Sequence, residues 1–356
     1  MGIKNLGRTA RKNLLTYAMV VVAFVVLQVL SATGVMSNSL RGQLVPICTY
    51  IIMAISLNLT VGILGELSLG HAGFMSIGAF SGALFTLCMQ DAIPVVWVRF
   101  ALALLVGAVM AGIFGFLIGI PVLRLRGDYL AIVTLAFGEI IKNLLNSIYL
   151  GYDANGFHFS MKDTMSLNLE EGGKVLIKGA QGIVGTPKNA TFVWGFLLVM
   201  LTLFIVLNLI KSRTGRAIMS IRDNRIAAES IGINVTKYKL IAFSISAALA
   251  GAAGALYAHN FSSLVASKFD YNTSILILVF VVLGGMGNIR GSIIAATILT
   301  VLPEMLRSFS DYRMLIYAIV LILVMIFTQS PKLVSWRKRM FAKMPKKQRD
   351  EKKGGA

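Results

Sequence analysis

The chain has 356 residues, of which 56% are apolar and only 14% are charged, and its mean hydropathy is +0.78. Soluble globular proteins carry roughly 25% charged residues, so this composition excludes an ordinary soluble domain and favours a membrane protein. The 34 basic residues outnumber the 15 acidic ones, which gives a net charge of +19. Such an excess fits nucleic-acid binding, anionic lipid or membrane topology, and the positions of the charges decide among them.

Ten hydrophobic segments follow one another along the chain. Most contain the roughly 20 apolar residues that a helix needs to cross a bilayer. Backbone polar groups in lipid must be paired within their own segment, and long apolar runs without alternation achieve this as helices. The sequence therefore predicts an all-α polytopic membrane protein with eight to ten spans. The predicted segments are 15–35, 44–63, 71–90, 98–121, 129–150, 192–210, 239–259, 273–287, 291–308 and 313–330.

The basic residues predict the orientation of these segments. With the N-terminus in the cytoplasm, 24 of the 34 basic residues fall on the cytoplasmic side, which is the positive-inside bias. We therefore expect both termini in the cytoplasm and a basic surface that meets anionic lipid rather than nucleic acid. The expected organisation is a cytoplasmic N-tail at 1–14, a transmembrane domain at 15–330 and a basic cytoplasmic tail at 331–356.

Two connections within the predicted domain are long. The external loop 151–191 contains equal numbers of Lys and acidic residues, and it is expected to form either a small cap or docking surface or a partly ordered connector. The cytoplasmic loop 211–239 is polar and basic. Asp223 or Asn224 can cap a short helix there, with Gly232 as a left-handed exit. The predicted apolar face of this helix is Ile226, Ala227 and Ile231.

Glycine clusters interrupt the spans at two places, Gly62–Gly73 and Gly284–Gly291. Non-helical backbone at membrane depth persists only where it is buried in protein or lines a wet cavity, so the breaks are candidate parts of a pathway. Tight turns are the alternative, and the second break could instead form a re-entrant hairpin. The candidate pathway residues are Asn58, Gly65, Glu66, Ser68, His71, Gly284, Gly285, Gly287 and Asn288.

Small residues recur every four positions in several spans, which predicts flat faces on which helices pack closely. The clearest sets are Gly107 to Gly119, Gly78 with Gly82, and Ala247 with Gly251. Glu139 and Lys142 lie three residues apart, and an ion pair that steadies one helix is favoured over a transport site.

Motifs for chemistry are missing from the sequence. There is no G-x-x-x-x-G-K-[ST] loop to hold ATP, and the three histidines stand far apart with no Cys or carboxylate cluster around them. We therefore expect no metal, no cofactor and no enzymatic activity in this chain. A polytopic protein with broken spans and no catalytic motif is expected to conduct a solute.

Several blocks of sequence, which together cover most of residues 50–305, carry a family resemblance. The blocks in the cytoplasmic loop are Gly215-Arg216-Ala217, Ile221-Arg222-Asp223-Asn224 and Ala227-Ala228-Glu229 followed by Gly232. The others are Leu57-Asn58-Leu59, Gly65-Glu66-Leu67-Ser68-Leu69-Gly70-His71-Ala72-Gly73-Phe74, Arg126-Gly127-Asp128-Tyr129-Leu130-Ala131-Ile132-Val133-Thr134-Leu135, and Gly284-Gly285-Met286-Gly287-Asn288 followed by Gly291. In this order the blocks resemble the permease subunits of branched-chain amino acid ABC importers.

The resemblance implies a subunit of the cell inner membrane that works with a second, similar permease, two cytoplasmic ATPase subunits and an extracytoplasmic solute-binding protein. ATP and Mg would be bound by the ATPases, which would grip the helix at 223–232. The general coupling pattern is E-A-A-x-x-x-G, and this chain has Ile226 in place of the acid, which leaves Glu229 as a possible substitute. The implied ATPase-coupling residues are Gly215, Arg216, Arg222, Asp223, Asn224, Ala227, Ala228, Glu229 and Gly232.

The solute and the energy source have alternatives. The resemblance favours leucine, isoleucine and valine, but members of the same family that move urea or short amides keep a second solute class open. An ion-coupled secondary transporter that needs no partner is the alternative mechanism, with Glu66 or Glu139 as its protonatable group. A structural membrane anchor would not need glycine breaks at membrane depth.

Overall fold

The computed structural model describes residues 8–306 apart from 35, 126, 154–155 and 170–172, together with residues 315, 318, 319, 322 and 326. The chain divides into two units, Met1–Val301 and Leu302–Ala356, and the account below concerns the first. The helices of the described residues are α1 Arg8–Ala32, α2 Asn38–Asn58, α3 His71–Cys88, α4 Val96–Val122, α5 Asp128–Ser147, α6 Phe192–Lys211, α7 Arg213–Asp223, α8 Arg225–Ser230, α9 Val235–Ala258, α10 Tyr271–Gly284 and α11 Ile289–Met305.

Eight helical segments of the described residues are long and apolar enough to cross a membrane. They coincide with the first eight predicted segments, so the prediction of a polytopic helical protein is confirmed. Helix α11 covers most of the ninth predicted segment but has only 17 residues. The tenth segment and the basic tail lie almost wholly outside the described residues.

The core is built where α3, α4 and α9 pack against one another through small residues. A Cβ atom at Gly107 would lie 2.8 Å from the carbonyl oxygen of Gly78 and 2.8 Å from the Cβ of Ala255. A Cβ at Gly82 would likewise lie 2.8 Å from the Cβ of Ala255. Any side chain at these positions would push the helices apart, because neighbouring backbones already touch. The predicted small-residue faces are therefore confirmed.

The segment after α5 forms an ordered cap in its described part. Strands β1 Tyr149–Asp153, β2 Gly156–Ser160 and β3 Lys174–Lys178 make an antiparallel sheet in the order β2-β1-β3. Strand β4 Ile183–Val184 pairs with β5 Ser263–Leu264 beyond α9. The sequence did not predict these strands, and its fifth span, drawn to residue 150, ends at Ser147 instead.

Both predicted helix breaks are present. Helix α2 continues as one π-helical segment, Leu59–Leu64, which ends at Gly65 in the left-handed conformation with a φ of 81°. No helix forms again until α3 begins at His71. At the second break α10 ends at Gly284, and the turn before α11 contains Gly285 and Gly287, each with a positive φ.

The small-residue seam gives a test of the packing. Gly78→Ala places a methyl group against the backbone of Gly251 and should lower the stability by about 1–3 kcal/mol, the usual cost of overpacking. Gly42→Ala is the matched control, since no atom lies within 4 Å of its Cβ position in α2. Better helix propensity should raise the stability of that variant by up to about 1 kcal/mol. Thermal unfolding of the detergent-solubilised protein measures both, and equal effects would contradict the close packing.

Candidate functional site

Asn58 joins the two helix breaks. Its side chain is fully buried, its Nδ2 donates a hydrogen bond to Oγ of Ser292 at 2.8 Å, and its Oδ1 accepts one from the backbone N–H of Gly287 at 2.8 Å. One amide side chain at the end of α2 thus pairs a polar group in the turn between α10 and α11 with another in the first part of α11. Because such groups are costly to leave unpaired in an apolar interior, Asn58 fixes the two breaks relative to each other.

The first break also contacts α7. Nη1 of Arg222 donates a 3.0 Å hydrogen bond to the carbonyl oxygen of Gly62, within the π-helical segment. A Cβ at Gly65 would lie 2.6 Å from Cγ of Arg222, so only glycine lets this arginine lie across the break. Arg222 also forms an ion pair with the adjacent Asp223 at 2.8 Å. A predicted coupling residue and a predicted pathway segment are therefore in direct contact.

Glu66 and Glu139 are both ion-paired. The carboxylate of Glu66, a candidate protonatable group of the ion-coupled alternative, pairs with Lys239 of α9, and both side chains are mostly buried. Glu139 pairs with Lys142 on its own helix, as predicted, and accepts a 3.1 Å hydrogen bond from the backbone N–H of Tyr271 at the start of α10. Neither carboxylate stands alone in the membrane region.

An open pocket of about 340 Å³ lies beside the Glu66–Lys239 pair. The pocket is bordered by the first break, the start of α5 and the end of α7, and charged side chains of both signs line its wall. The charged lining residues are Glu66, Asp128, Arg222, Arg225 and Lys239.

His71 belongs to a different, fully buried polar cluster. Its Nε2 lies 2.7 Å from Oγ of Ser56, and that hydroxyl lies 2.9 Å from the carbonyl oxygen of Met53. Since the carbonyl can only accept, the hydroxyl proton goes to it and Nε2 donates to Ser56. Oγ of Ser246 in turn donates to the backbone carbonyl of Ser56 and accepts from Thr60 at 2.9 Å. This cluster ties α2, α3 and α9 together away from the pocket.

The remaining candidate pathway residues are dispersed. Ser68 is buried, and its hydroxyl has no hydrogen-bond partner among the described residues. Gly284 and Gly291 bring the end of α10 against the start of α11, since a side chain on either would collide with the backbone of the other helix. Gly285 and the exposed Asn288 form the turn itself, where the backbone N–H of Asn288 donates to the carbonyl oxygen of Gly285 at 2.9 Å.

Helix α7 is attached firmly to the first break. Oγ of Ser212 caps it by accepting a 3.1 Å hydrogen bond from the N–H of Gly215, which is buried against the end of α6. Ile218 is fully buried in an apolar cluster with Leu59 and Ile63 of the π-helical segment. Arg216, another predicted coupling residue, instead donates to the carbonyl oxygen of Lys211 at 2.9 Å.

Helix α8 follows with only Asn224 between it and α7. The side chain of Asn224, rather than that of Asp223, caps α8 by accepting from the N–H of Ala227 at 3.1 Å. Gly232 ends the segment with a φ of 84°, as predicted. Arg225 and Glu229 form a 2.8 Å ion pair one turn apart on the surface.

The predicted apolar face of α8 does not pack against this chain. Ile226 is 79% exposed and Ile231 is 73% exposed, and Ala227 is exposed as well. Ala228 is the buried residue, in a small cluster with Ile221 and Val235. The predicted apolar face at Ile226, Ala227 and Ile231 is therefore directed away from the rest of this chain, and α8 rests on Ala228 instead.

Sequence reasoning missed three contributors to this site, Gly62, Lys239 and Ser292. Gly62 begins the first glycine break and Ser292 directly follows the second, so their position was a usable signal. Lys239 was counted only as a topology charge, although a lysine at the start of an apolar span is costly unless an acid pairs with it.

Comparison with known proteins identifies the family of this chain. Residues 39–327 match the model of the permease component of the branched-chain amino acid transport system. The chain belongs to this family. It is accordingly a multi-pass protein of the inner membrane that belongs to a family of transport permeases.

Individual relatives agree with this assignment. The permease is 40% identical over 287 residues to the high-affinity branched-chain amino acid permease LivM of Salmonella typhimurium, and 39% identical to LivM of Escherichia coli K12. Each match covers 78% of this permease and 66% of the relative, so the permease spans just under two thirds of the length of LivM. A nucleoside permease, NupC of Lactococcus lactis, is 26% identical over 200 residues, which are 56% of this permease and 60% of NupC. No solved structure matches the permease.

The bridge at Asn58 gives a test of the site. Asn58→Ala leaves the Gly287 N–H and the Ser292 hydroxyl without their buried partner, and we expect it to lower the stability of the permease by about 2 kcal/mol or more. Asn288→Ala is the control, since Asn288 is exposed and its side chain makes only a 3.4 Å contact to Gly284. Thermal unfolding measures the stability of both variants, and an equal loss of stability would rule out the bridge at Asn58.

Proposed function

We propose that this permease is the membrane subunit of an ATP-driven importer and forms half of its translocation pathway together with a second, similar permease. Its solutes are leucine, isoleucine and valine, a proposal supported by the LivM relatives. The nucleoside permease among its relatives supports other solutes within similar chains. Urea and short amides, which the sequence resemblance implies, are the alternative class. Two cytoplasmic ATPases and an extracytoplasmic solute-binding protein complete the importer.

The hydrogen bond between Arg222 and Gly62 is the observation that carries this proposal. It joins the helix on which an ATPase would act to a break in a membrane span, and Asn58 extends the connection to the second break. A displacement of α7 must therefore move or break both contacts. Packed elements of this kind transmit force because they have discrete arrangements and deform little.

Helix α8 supplies the contact surface for an ATPase. Ile226 and Ile231 are large, apolar and mostly exposed beside a charged pair, Arg225 and Glu229. An apolar centre with a polar rim is the usual composition of a protein interface. In this arrangement the loop 211–239 and both termini are cytoplasmic, the cap at 151–191 faces outside, and ATP and Mg are bound by the partners.

The ion-coupled alternative receives no support from the site. It requires a carboxyl group that takes up and releases a proton during transport. Both candidates, Glu66 and Glu139, are held in ion pairs with lysine.

Replacing Arg222 tests the coupling. With the permease reconstituted with its ATPases, partner permease and binding protein, Arg222→Ala should preserve ATP hydrolysis but lower the uptake of labelled leucine about 10-fold, because the push on α7 no longer reaches Gly62. Arg213→Ala is the matched control on the same helix, since Arg213 is exposed. Unchanged leucine uptake by Arg222→Ala would refute the coupling route, and competition by isoleucine, valine, urea and acetamide identifies the solute class.

Replacing Ile226 tests the contact with an ATPase. Ile226→Asp puts a charge into the centre of the proposed interface, and we expect the affinity for the ATPase to fall about 10-fold or more. Thr236→Asp is the control, since it adds the same charge at an exposed position nearby. Co-purification of the ATPase with the tagged permease gives the result. Equal recovery of the ATPase with both variants would show that the ATPase binds another surface of the permease. It would also remove the argument that α8 lies in the cytoplasm.

A further inference from the structure

A groove with almost entirely apolar walls lies between α1, α2, α6 and α11. One wall is α1, most of whose surface is not covered by the rest of the chain. Phe24 of α1 stacks on Phe196 of α6 with ring centroids 4.0 Å apart, which fixes the width of the groove. The lining residues include Val20, Leu27, Ile47, Val199, Ile293 and Ile298.

A positively charged side chain, that of Arg290, lies at one end of this groove. Arg290, in the first turn of α11, is half-buried, and its Nε donates a 2.6 Å hydrogen bond to Oγ1 of Thr16 on α1. Among the described residues no carboxylate lies within ion-pair distance of Arg290, whereas the Glu66–Lys239 and Glu139–Lys142 pairs are formed. A partly desolvated arginine favours an anion, and the geometry of its guanidinium suits a phosphate in particular.

The length of the groove fits one leaflet of the bilayer. From Thr16, beside the cation, to Leu27, α1 rises about 16 Å, and the hydrocarbon of a single leaflet is about 15 Å thick. The apolar side chains that line the groove therefore extend over the depth that one lipid chain occupies. Three more basic residues, Arg8, Arg11 and Lys12, precede Thr16 on the same helix.

We propose that this groove binds one anionic phospholipid. Its phosphate contacts Arg290 beside Thr16, and an acyl chain runs along α1 past Phe24 toward Leu27. Basic pockets between membrane helices are known physical determinants of anionic-lipid binding, because the headgroup charge compensates the cation while the chain fills apolar space. The lipid would hold α1 against α6 and α11.

Lipid binding to the full-length permease, stripped of native lipid in neutral detergent, tests the proposal. Native mass spectrometry with added dioleoyl phosphatidylglycerol should detect one lipid per chain, bound about 10-fold or more tightly than dioleoyl phosphatidylcholine. Arg290→Gln should abolish this preference. Arg124→Gln, which removes an exposed arginine at the end of α4, should retain it. Equal binding of phosphatidylglycerol by wild type and Arg290→Gln would overturn the proposal.

A second variant tests the apolar part of the site and does not depend on the folding of Arg290→Gln. Ala23→Trp fills the groove without changing its charge, and it should weaken the binding of both lipids about 10-fold while the protein still elutes as a single species. Phosphatidylglycerol binding unaffected by Ala23→Trp would show that the chain lies elsewhere. Binding of glycerophosphoglycerol as tight as that of the lipid would reduce the site to a phosphate site. Crosslinking of Ala23→Cys to the second permease would assign the groove to that subunit. Each of these three results would overturn the proposal of a bound lipid.

Discussion

Pairing of backbone polar groups in the absence of water is the constraint on which this permease depends. Each glycine break releases N–H and carbonyl groups from helical hydrogen bonding, and such groups need new partners wherever they are buried. Asn58 and Arg222 supply partners, one from α2 itself and one from α7. Three stretches distant in sequence, the two breaks and α7, are thereby joined into one structural unit.

The same constraint explains why the core contains so many small residues. Helices α3, α4 and α9 approach until their backbones touch, and this contact supplies dispersion energy that the hydrophobic effect cannot supply between helices already in lipid. Helix α2 is tied to this core by the polar cluster at His71 and is itself almost wholly buried. The polar cluster at His71 belongs to the core, whereas Gly62 and Gly65 belong to the part that contacts α7.

The sequence predicted what depends on neighbouring residues and missed what depends on distant ones. Hydropathy predicted the spans and the clustered glycines predicted the breaks. The helix cap at Asn224 was also visible in the sequence, because it is a local pattern. The partners of Glu66 and Asn58 lie 173 and more than 200 residues away, and no spacing rule reaches that far. The sequence predicted the apolar face of α8, whereas the burial of Ala228 against Ile221 and Val235 depends on tertiary packing that no local pattern shows.

Helix α10 is tethered at both ends. At its start the N–H of Tyr271 is bound by Glu139 of α5, and just before it β5 pairs with β4 of the cap. At its end the turn that contains Gly287 is held by Asn58. A helix held at both ends cannot slide or tilt without breaking or carrying along one of these attachments, so a movement of the cap would be passed on by α10 to the turn at Gly287.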